Sequence, residues 1–394
     1  MTGGVGVGRI RFACTIAGVW AWFGCGVLDV SLWAVSPLSE PMKIERSIFG
    51  TLDGEDVHAF TMSHPDGSSI RVMEYGATLM EVNVADASGK IANVNAVLPT
   101  LRDYTGGHPY FGSTVGRFAN RIGDAKFEID GAVFELPKNH GEHILHGGPK
   151  NFAHQVWRGE AIEQNGDSEN EVAVRMTLQS PDEHNGFPGN VSVQCVYRFT
   201  AKHEVVIEYV ATTDAPTHLN LTNHSYFNLG GMGSGSVHDH VLTIPSTKVL
   251  EVDDDLIPHG GMMSVDGTPF DFREPTAIGD RIDQLPATKG YDHCYVVVGF
   301  DADSIEPIHA AEAFDPASGR TMTVTTTLPG MQLYTGNHLG GGASAAGLSS
   351  HEAFCLETQS FPNSPNVESF PSTLVRPDQT LKAMTVYRFG VRQR

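Results

Sequence analysis

The chain is poor in cysteine and poor in positive charge. Its 394 residues include 5 cysteines. Cys14 and Cys25 fall near the N-terminus, while Cys195, Cys294 and Cys355 lie far apart, and no Cys-x-x-Cys occurs. This excludes a disulfide framework and a cysteine zinc site, and leaves three cysteines in strand-like runs as buried small hydrophobes. Lys and Arg number 26 against 46 Asp and Glu, a formal net charge of −20. Residues 1–41 carry Arg9, Arg11, Asp29 and Glu40 and sum to zero, so the acidic excess belongs to 42–394. An acidic surface repels phosphate backbones, which argues against nucleic-acid binding and, more weakly, against a phosphorylated substrate. No fixed-period repeat is present, which argues against a solenoid or a propeller. Stretches with helical periodicity are scarce, and no linker divides 42–394.

What is abundant is alternation. Val172, Val174, Met176 and Leu178 share one face against Glu171, Arg175, Thr177 and Gln179. Val191, Val193, Cys195, Tyr197 and Phe199 alternate with Ser192, Gln194, Arg198 and Thr200. Val205, Ile207 and Tyr209 alternate with Glu204 and Glu208, and Met322 and Val324 sit between Thr321, Thr323 and Thr325. Period two, repeated this often, predicts antiparallel strands with one buried face. Turn signals such as Pro65-Asp66-Gly67, Ile129-Asp130-Gly131 and Asn185-Gly186 separate the strands. The expected architecture is all-β: one large antiparallel β-sandwich domain over 42–394.

Residues 1–41 read differently. Arg9 and Arg11 precede an apolar run from Phe12 to Leu28, the order of a secretory signal or membrane anchor. Its glycines weaken a helix, and no clean small-x-small cleavage site follows. The competing readings are a spurious upstream extension, with translation beginning at Met42, and a disordered tail. Export to the periplasm follows from the first reading and a cytoplasmic protein from the second.

The chemistry concentrates in a few stretches. Asn220-Leu221-Thr222-Asn223-His224-Ser225-Tyr226-Phe227-Asn228-Leu229 interleaves polar side chains with aromatic ones. That suits a partly buried cleft wall holding one group that titrates near neutrality, His224. In Gly116-Arg117-Phe118-Ala119-Asn120-Arg121-Ile122, irregular backbone lets Asn120 and Arg121 both reach a cleft, where they suit vicinal hydroxyls. From residue types alone, surface salt bridging by Arg117 and Arg121 is the favoured reading. His140, His143 and His146 are spaced by three; a metal site would need a helix, or tight turns of the right geometry, and Gly141, Gly147 and Gly148 argue against the helix. His146 reads instead as a loop residue on sharply bent backbone.

Pro269-Phe270-Asp271-Phe272-Arg273 reads as a structural corner. In Gly290-Tyr291-Asp292-His293, Asp292 lies where a loop enters a strand, placed to accept from two hydroxyls or to cap a turn. Gln332 and Tyr334 share a face of the strand after Pro329-Gly330. Glu357 sits in an otherwise apolar or neutral strand, Cys355-Leu356-Glu357-Thr358-Gln359. There it either pairs with an arginine or has a raised pKa that suits a proton acceptor.

Six motifs in order, GRFANRI, LHGG, NHSYFNLGG, GYDH, QLYTGN and CLETQ, resemble the aldose 1-epimerase family, also called galactose mutarotase. The resemblance runs from about Phe49 to Phe389. It implies a large antiparallel supersandwich that interconverts α and β anomers of free aldohexoses without metal, nucleotide or other cofactor. It assigns Glu357 as general base and His224 as general acid. It assigns Asn120, Arg121, His146, Tyr226, Asp292 and Gln332 to substrate binding. Glu357 ionised and His224 protonated form the expected starting pair. Asn151 stands where the family usually has glycine, and asparagine tolerates left-handed backbone.

The expected partner is a small-molecule aldose, bound by a monomer or weak dimer. Three rivals stand beside this reading. A hexose 6-phosphate epimerase needs a basic cluster at the cleft mouth. A non-catalytic sugar-binding module predicts loss of Glu357 or His224. A glycoside hydrolase uses two carboxylates, for which Asp292 and Glu357 are the candidates.

Overall fold

The alternating segments become ladders of a single nine-stranded antiparallel sheet, which packs with two five-stranded ones. A computed structural model of the chain describes Met1, residues 41–162 and residues 170–393. The N-terminal apolar run Phe12–Leu28 lies outside the described residues. Among the described residues no helix is long and apolar enough to cross a membrane. Contacts gather Glu40–Arg394 into one unit.

The largest sheet has nine strands, running in space as Arg158–Ile162, Glu171–Ser180, Val191–Thr200, Glu204–Thr213, Leu381–Val391, Arg320–Thr326, Ile308–Phe314, Val241–Thr243 and Thr276–Ala277. Period two sets its register. Val174 lies opposite Tyr197 and Tyr197 opposite Ile207, so each ladder sends the same alternate residues inward. Each fully buried Val, Ile or Phe contributes about 1.5–3 kcal/mol from apolar burial. On the other face, Arg198 bridges Glu208 at 2.8 Å and Glu171 at 3.3 Å, a cross-strand pairing that keeps the charges out of the core.

A five-stranded sheet, Lys43–Leu52, Glu55–Ser63, Ser69–Met73, Thr78–Ala85 and Ile91–Asn93, follows chain order as a meander. A second five-stranded sheet runs Pro258–Ser264, Lys248–Val252, Asp292–Val296, Gly330–Tyr334 and Cys355–Gln359. One apolar core joins the three sheets. Phe60, Ile70 and Val82 of the meander and Met331, Leu333 and Leu356 of the second sheet meet Val193, Tyr197 and Ile207 of the nine-stranded one. Cys195, Cys294 and Cys355 are free and buried, as small hydrophobes.

The corner at Phe270–Arg273 is structural. Phe272 is buried, and Arg273 Nε donates to Asp271 Oδ1 at 2.8 Å. The expectation for Asn151 fails in its reason. Its φ is −69°, extended rather than left-handed, and its side chain caps the 3-10 turn Phe152–His154 by accepting from the Ala153 amide. The left-handed residues of that loop are His146, Gly147 and Gly148.

Candidate active site

The second five-stranded sheet turns one face into the core and the other onto a cavity. Because successive side chains alternate, Leu333 and Leu356 point inward while Gln332, Tyr334 and Glu357 line the cavity. Gln332 lies directly opposite Glu357 in one ladder, and Asp292 opposite Tyr334 in the next. Gln332 Nε2 donates to Asp292 Oδ1 at 2.6 Å. Three strands thus present an amide between two carboxylates on a rigid floor.

The walls come from loops that the sequence bends sharply. Asn120 and His146 have left-handed backbone, at φ 64° and 55°. A two-residue ladder, Arg121 opposite Leu145 and Ile122 opposite Ile144, holds the two loops side by side. Gly147 permits the contact: a Cβ there would lie 2.5 Å from the Gly116 carbonyl oxygen. The Asn120 amide donates to His146 Nδ1 at 3.2 Å, and Arg121 Nη1 donates to Asn120 Oδ1 at 3.2 Å. Arg121 Nη2 then reaches Asp292 Oδ2 at 3.3 Å, linking wall to floor.

His224 arrives on a segment stitched to both. Its amide donates to the Ser113 carbonyl at 3.0 Å, and its own carbonyl accepts from the Gly112 amide at 2.9 Å. Asn220 donates to the Ala119 and Ser360 carbonyls and accepts from the Ser360 amide at 2.8 Å. Thr222 donates to the Thr358 carbonyl at 2.8 Å. Asn220 and Thr222 therefore serve backbone, and His224 and Tyr226 are the stretch's contribution to the cavity. They follow the short ladder at Thr222–Asn223, with rings stacked at 5.0 Å and 14°. Tyr110 stacks more loosely on the imidazole, with centroids 5.9 Å apart.

Nε2 of His224 lies 3.6 Å from Oε2 of Glu357. The two side chains are 6% and 3% exposed, so burial governs both charges. Burial pulls the imidazole down to about 4. Burial first, and the Asp292 charge second, push the Glu357 carboxyl well above the usual range. Both directions oppose the ionised starting pair expected from sequence. Burial thus favours neutral imidazole and protonated carboxyl, which together hold the same single proton. Cys355 Sγ lies 3.7 Å from His224 Nδ1, a thiol that burial keeps protonated.

All eight expected site residues, Asn120, Arg121, His146, His224, Tyr226, Asp292, Gln332 and Glu357, line one cavity of about 270 Å³. That is near the low end of the roughly 300–1,000 Å³ of ligand pockets and suits a small molecule. Three buried polar atoms in it, Glu357 Oε2, Gln332 Oε1 and Arg121 Nε, have no hydrogen-bond partner among the described residues. Tyr110, His140, Tyr334 and His338 also line the cavity and were not singled out as site residues. Tyr334 had a signal, the face it shares with Gln332.

Surface salt bridging by the two arginines is overturned. Arg117 is 2% exposed and donates to Ser180 Oγ and to the carbonyls of Ser180, Pro181, Phe187 and Pro188. Arg121 is buried in the cavity wall. The three spaced histidines go to separate tasks. His143 Nδ1 accepts from the Asp124 amide, His146 Nδ1 accepts from Asn120, and His140 lines the cavity.

A family model described as aldose 1-epimerase matches residues 58–388. The galactose mutarotase of Bos taurus is 37% identical over 355 residues, covering 89% of this chain and 99% of that protein. The aldose 1-epimerase of Escherichia coli strain K12 is 33% identical over 344 residues, covering 86% and 96%. The crystal structure of galactose 1-epimerase from Lactobacillus acidophilus NCFM superposes with a TM-score of 0.78 at 26% identity, covering 89% of this chain and 100% of that one. Since the stretch matched by the family model takes in every cavity residue named above, the chain belongs to the aldose 1-epimerase family and is an isomerase.

Proposed function

We propose that the chain interconverts the α and β anomers of free aldohexoses such as glucose and galactose, with Glu357 and His224 moving the protons. The observation that carries this reading is the buried His224–Glu357 pair, 3.6 Å apart, at the floor of a cavity rimmed by hydroxyl-binding groups.

Anomer exchange requires the ring to open. Glu357 takes the proton of the anomeric hydroxyl as a C=O double bond forms at C1. The C1–O5 bond breaks, and His224 protonates O5. The aldehyde turns about C1–C2 and the ring closes on its other face with both transfers reversed. Ring opening converts imidazolium and carboxylate into imidazole and carboxylic acid, the state that burial already favours. The closed sugar supports the opposite state by hydrogen-bonding Glu357 Oε2, which lacks a hydrogen-bond partner among the described residues. Each proton-transfer group contributes about 10²–10⁴-fold. Asp292, Arg121, Asn120, His146, Gln332 and Tyr226 hold the remaining hydroxyls and the sugar face, so motion is confined to C1 and C2.

A neutral sugar suits the cavity better than a hexose phosphate. Arg121 is the lysine-or-arginine member of the lining, and Asp292 already engages it. The proposed unit is one domain over 42–394, acting as a monomer or weak dimer. It is cytoplasmic if translation begins at Met42 and exported if residues 1–41 work as a signal. Polarimetry of freshly dissolved α-glucose and α-galactose, with protein begun at Met42, tests the activity. Rotation that decays no faster than in buffer would refute it.

A further inference from the structure

Away from the cavity, His64, Asp66 and His203 form a second cluster of ionisable side chains. His64 follows the strand Glu55–Ser63, and Asp66 lies in the turn before Ser69–Met73. His203 lies in the turn between Val191–Thr200 and Glu204–Thr213. The cluster therefore bridges the meander sheet and the nine-stranded sheet. Asp66 sits between the two rings, with Oδ1 2.7 Å from His64 Nδ1 and Oδ2 2.6 Å from His203 Nε2. The ring centroids are 4.9 Å apart. The Ser68 amide donates to Asp66 Oδ1 at 2.8 Å, and the His203 amide closes its turn on the Thr200 carbonyl at 2.9 Å. None of the three lines the sugar cavity.

We propose that His64, Asp66 and His203 bind a divalent transition-metal ion, Zn²⁺ by donor type, which clips the turn at residues 64–68 to the turn at 200–204. Two imidazole nitrogens and one carboxylate oxygen are a donor set that suits Zn²⁺ and that Mg²⁺ or Ca²⁺ would not select. Three such ligands leave a fourth tetrahedral position for water.

The ligand atoms lie within 4.8 Å of one another. At Zn–N and Zn–O distances of about 2.0–2.2 Å, tetrahedral neighbours stand roughly 3.4 Å apart. The two short contacts need to open by less than about 1 Å to reach that spacing, a small ring rotation for side chains that are 19% and 32% exposed. The Asp66 amide also donates to His64 Nδ1 at 3.2 Å. Binding requires each imidazole to turn an unprotonated nitrogen to the metal, with its single ring proton on the other nitrogen.

His224, Cys355 and Glu357 are the other group among the described residues whose donor atoms approach this closely. A metal there would carry a thiolate, which gives the two locations different spectra. The test uses the full chain stripped with chelator, titrated with Zn²⁺ by calorimetry and with Co²⁺ by absorption. The expected result is one Zn²⁺ per chain and visible Co²⁺ bands without thiolate charge transfer. Losing a ligand should cost at least the roughly 10–100-fold in affinity that losing an outer hydrogen-bond partner costs. That loss is expected in both His203→Ala and the more conservative Asp66→Asn, with mutarotation unchanged in each. Absence of Zn²⁺ uptake by the wild type would overturn the proposal. So would affinity unmoved in both variants, or a thiolate charge-transfer band that vanishes in Cys355→Ala.

Discussion

Gln332 stands between the two carboxylates of the cavity floor: it is the ladder partner of Glu357 on one side and donates to Asp292 Oδ1 at 2.6 Å on the other. Through this arrangement Asp292 is close enough to act on Glu357 by charge. After burial, the Asp292 carboxylate is the next cause that raises the Glu357 pKa. Removing a nearby negative charge favours ionised Glu357, so in Asp292→Asn its pKa falls. The alkaline limb of kcat/KM, where the pair loses its proton, should move to lower pH. KM should rise as well, because a hydroxyl acceptor is lost. pH–rate profiles of the variant and wild type check both shifts.

Glu357→Gln keeps the shape of the floor and removes the proton acceptor. Mutarotation is expected to fall by about 10²–10⁴-fold, while sugar binding measured by calorimetry persists. A near-wild-type rate would remove Glu357 from the mechanism.

His224→Asn should lose activity on the same scale, for a different reason: no group is left to protonate O5. In the wild type the pair gains a second proton only when the imidazole titrates, at about 4. The acid limb of kcat/KM is therefore expected near pH 4, well below the ordinary histidine value of about 6.5. A profile measured from pH 4 to 8 that breaks near 6.5 would contradict the buried-pair description.

Stability should also depend on acid. His218, His224 and His240 are buried, and burial pulls each down to about 4. Between the unfolded value of about 6.5 and the folded value, the unfolded chain binds protons that the folded chain refuses. Stability is thus retained above pH 6.5 and lost as pH falls toward 4. The slope is up to about 1.4 kcal/mol per pH unit for each imidazole. Urea unfolding at pH 7 and pH 5 measures the difference.

Much of this was legible in the sequence, and the reasons are local. Alternation in Glu171–Ser180, Val191–Thr200, Glu204–Thr213 and Arg320–Thr326 is a property of neighbours, and each run became a strand with the expected face inward. The eight site residues came from motif resemblance, and they meet in one cavity. Tyr110 and His338 carried no pattern, because their presence there depends on contacts with distant segments. Tyr110, for instance, reaches His146 and His224 from a left-handed turn at φ 62°. The fate of Arg117 was equally hidden, since its acceptors lie more than 60 positions along the chain. The pull of burial on His224 and Glu357 was hidden for the same reason: burial is a tertiary quantity.

Arg117 and Arg121 belong to one seven-residue motif yet answer to different pressures. Arg117 spends its donors on the turns at Ser180–Pro181 and Phe187–Pro188, behind the cavity wall. Arg121 spends its own on Asn120 and Asp292, in front of it. In a saturation library scored separately for cellular abundance and for turnover, Arg117 substitutions would deplete the first score and Arg121 substitutions the second. Two arginines four residues apart would thereby separate selection for a folded protein from selection for a working one.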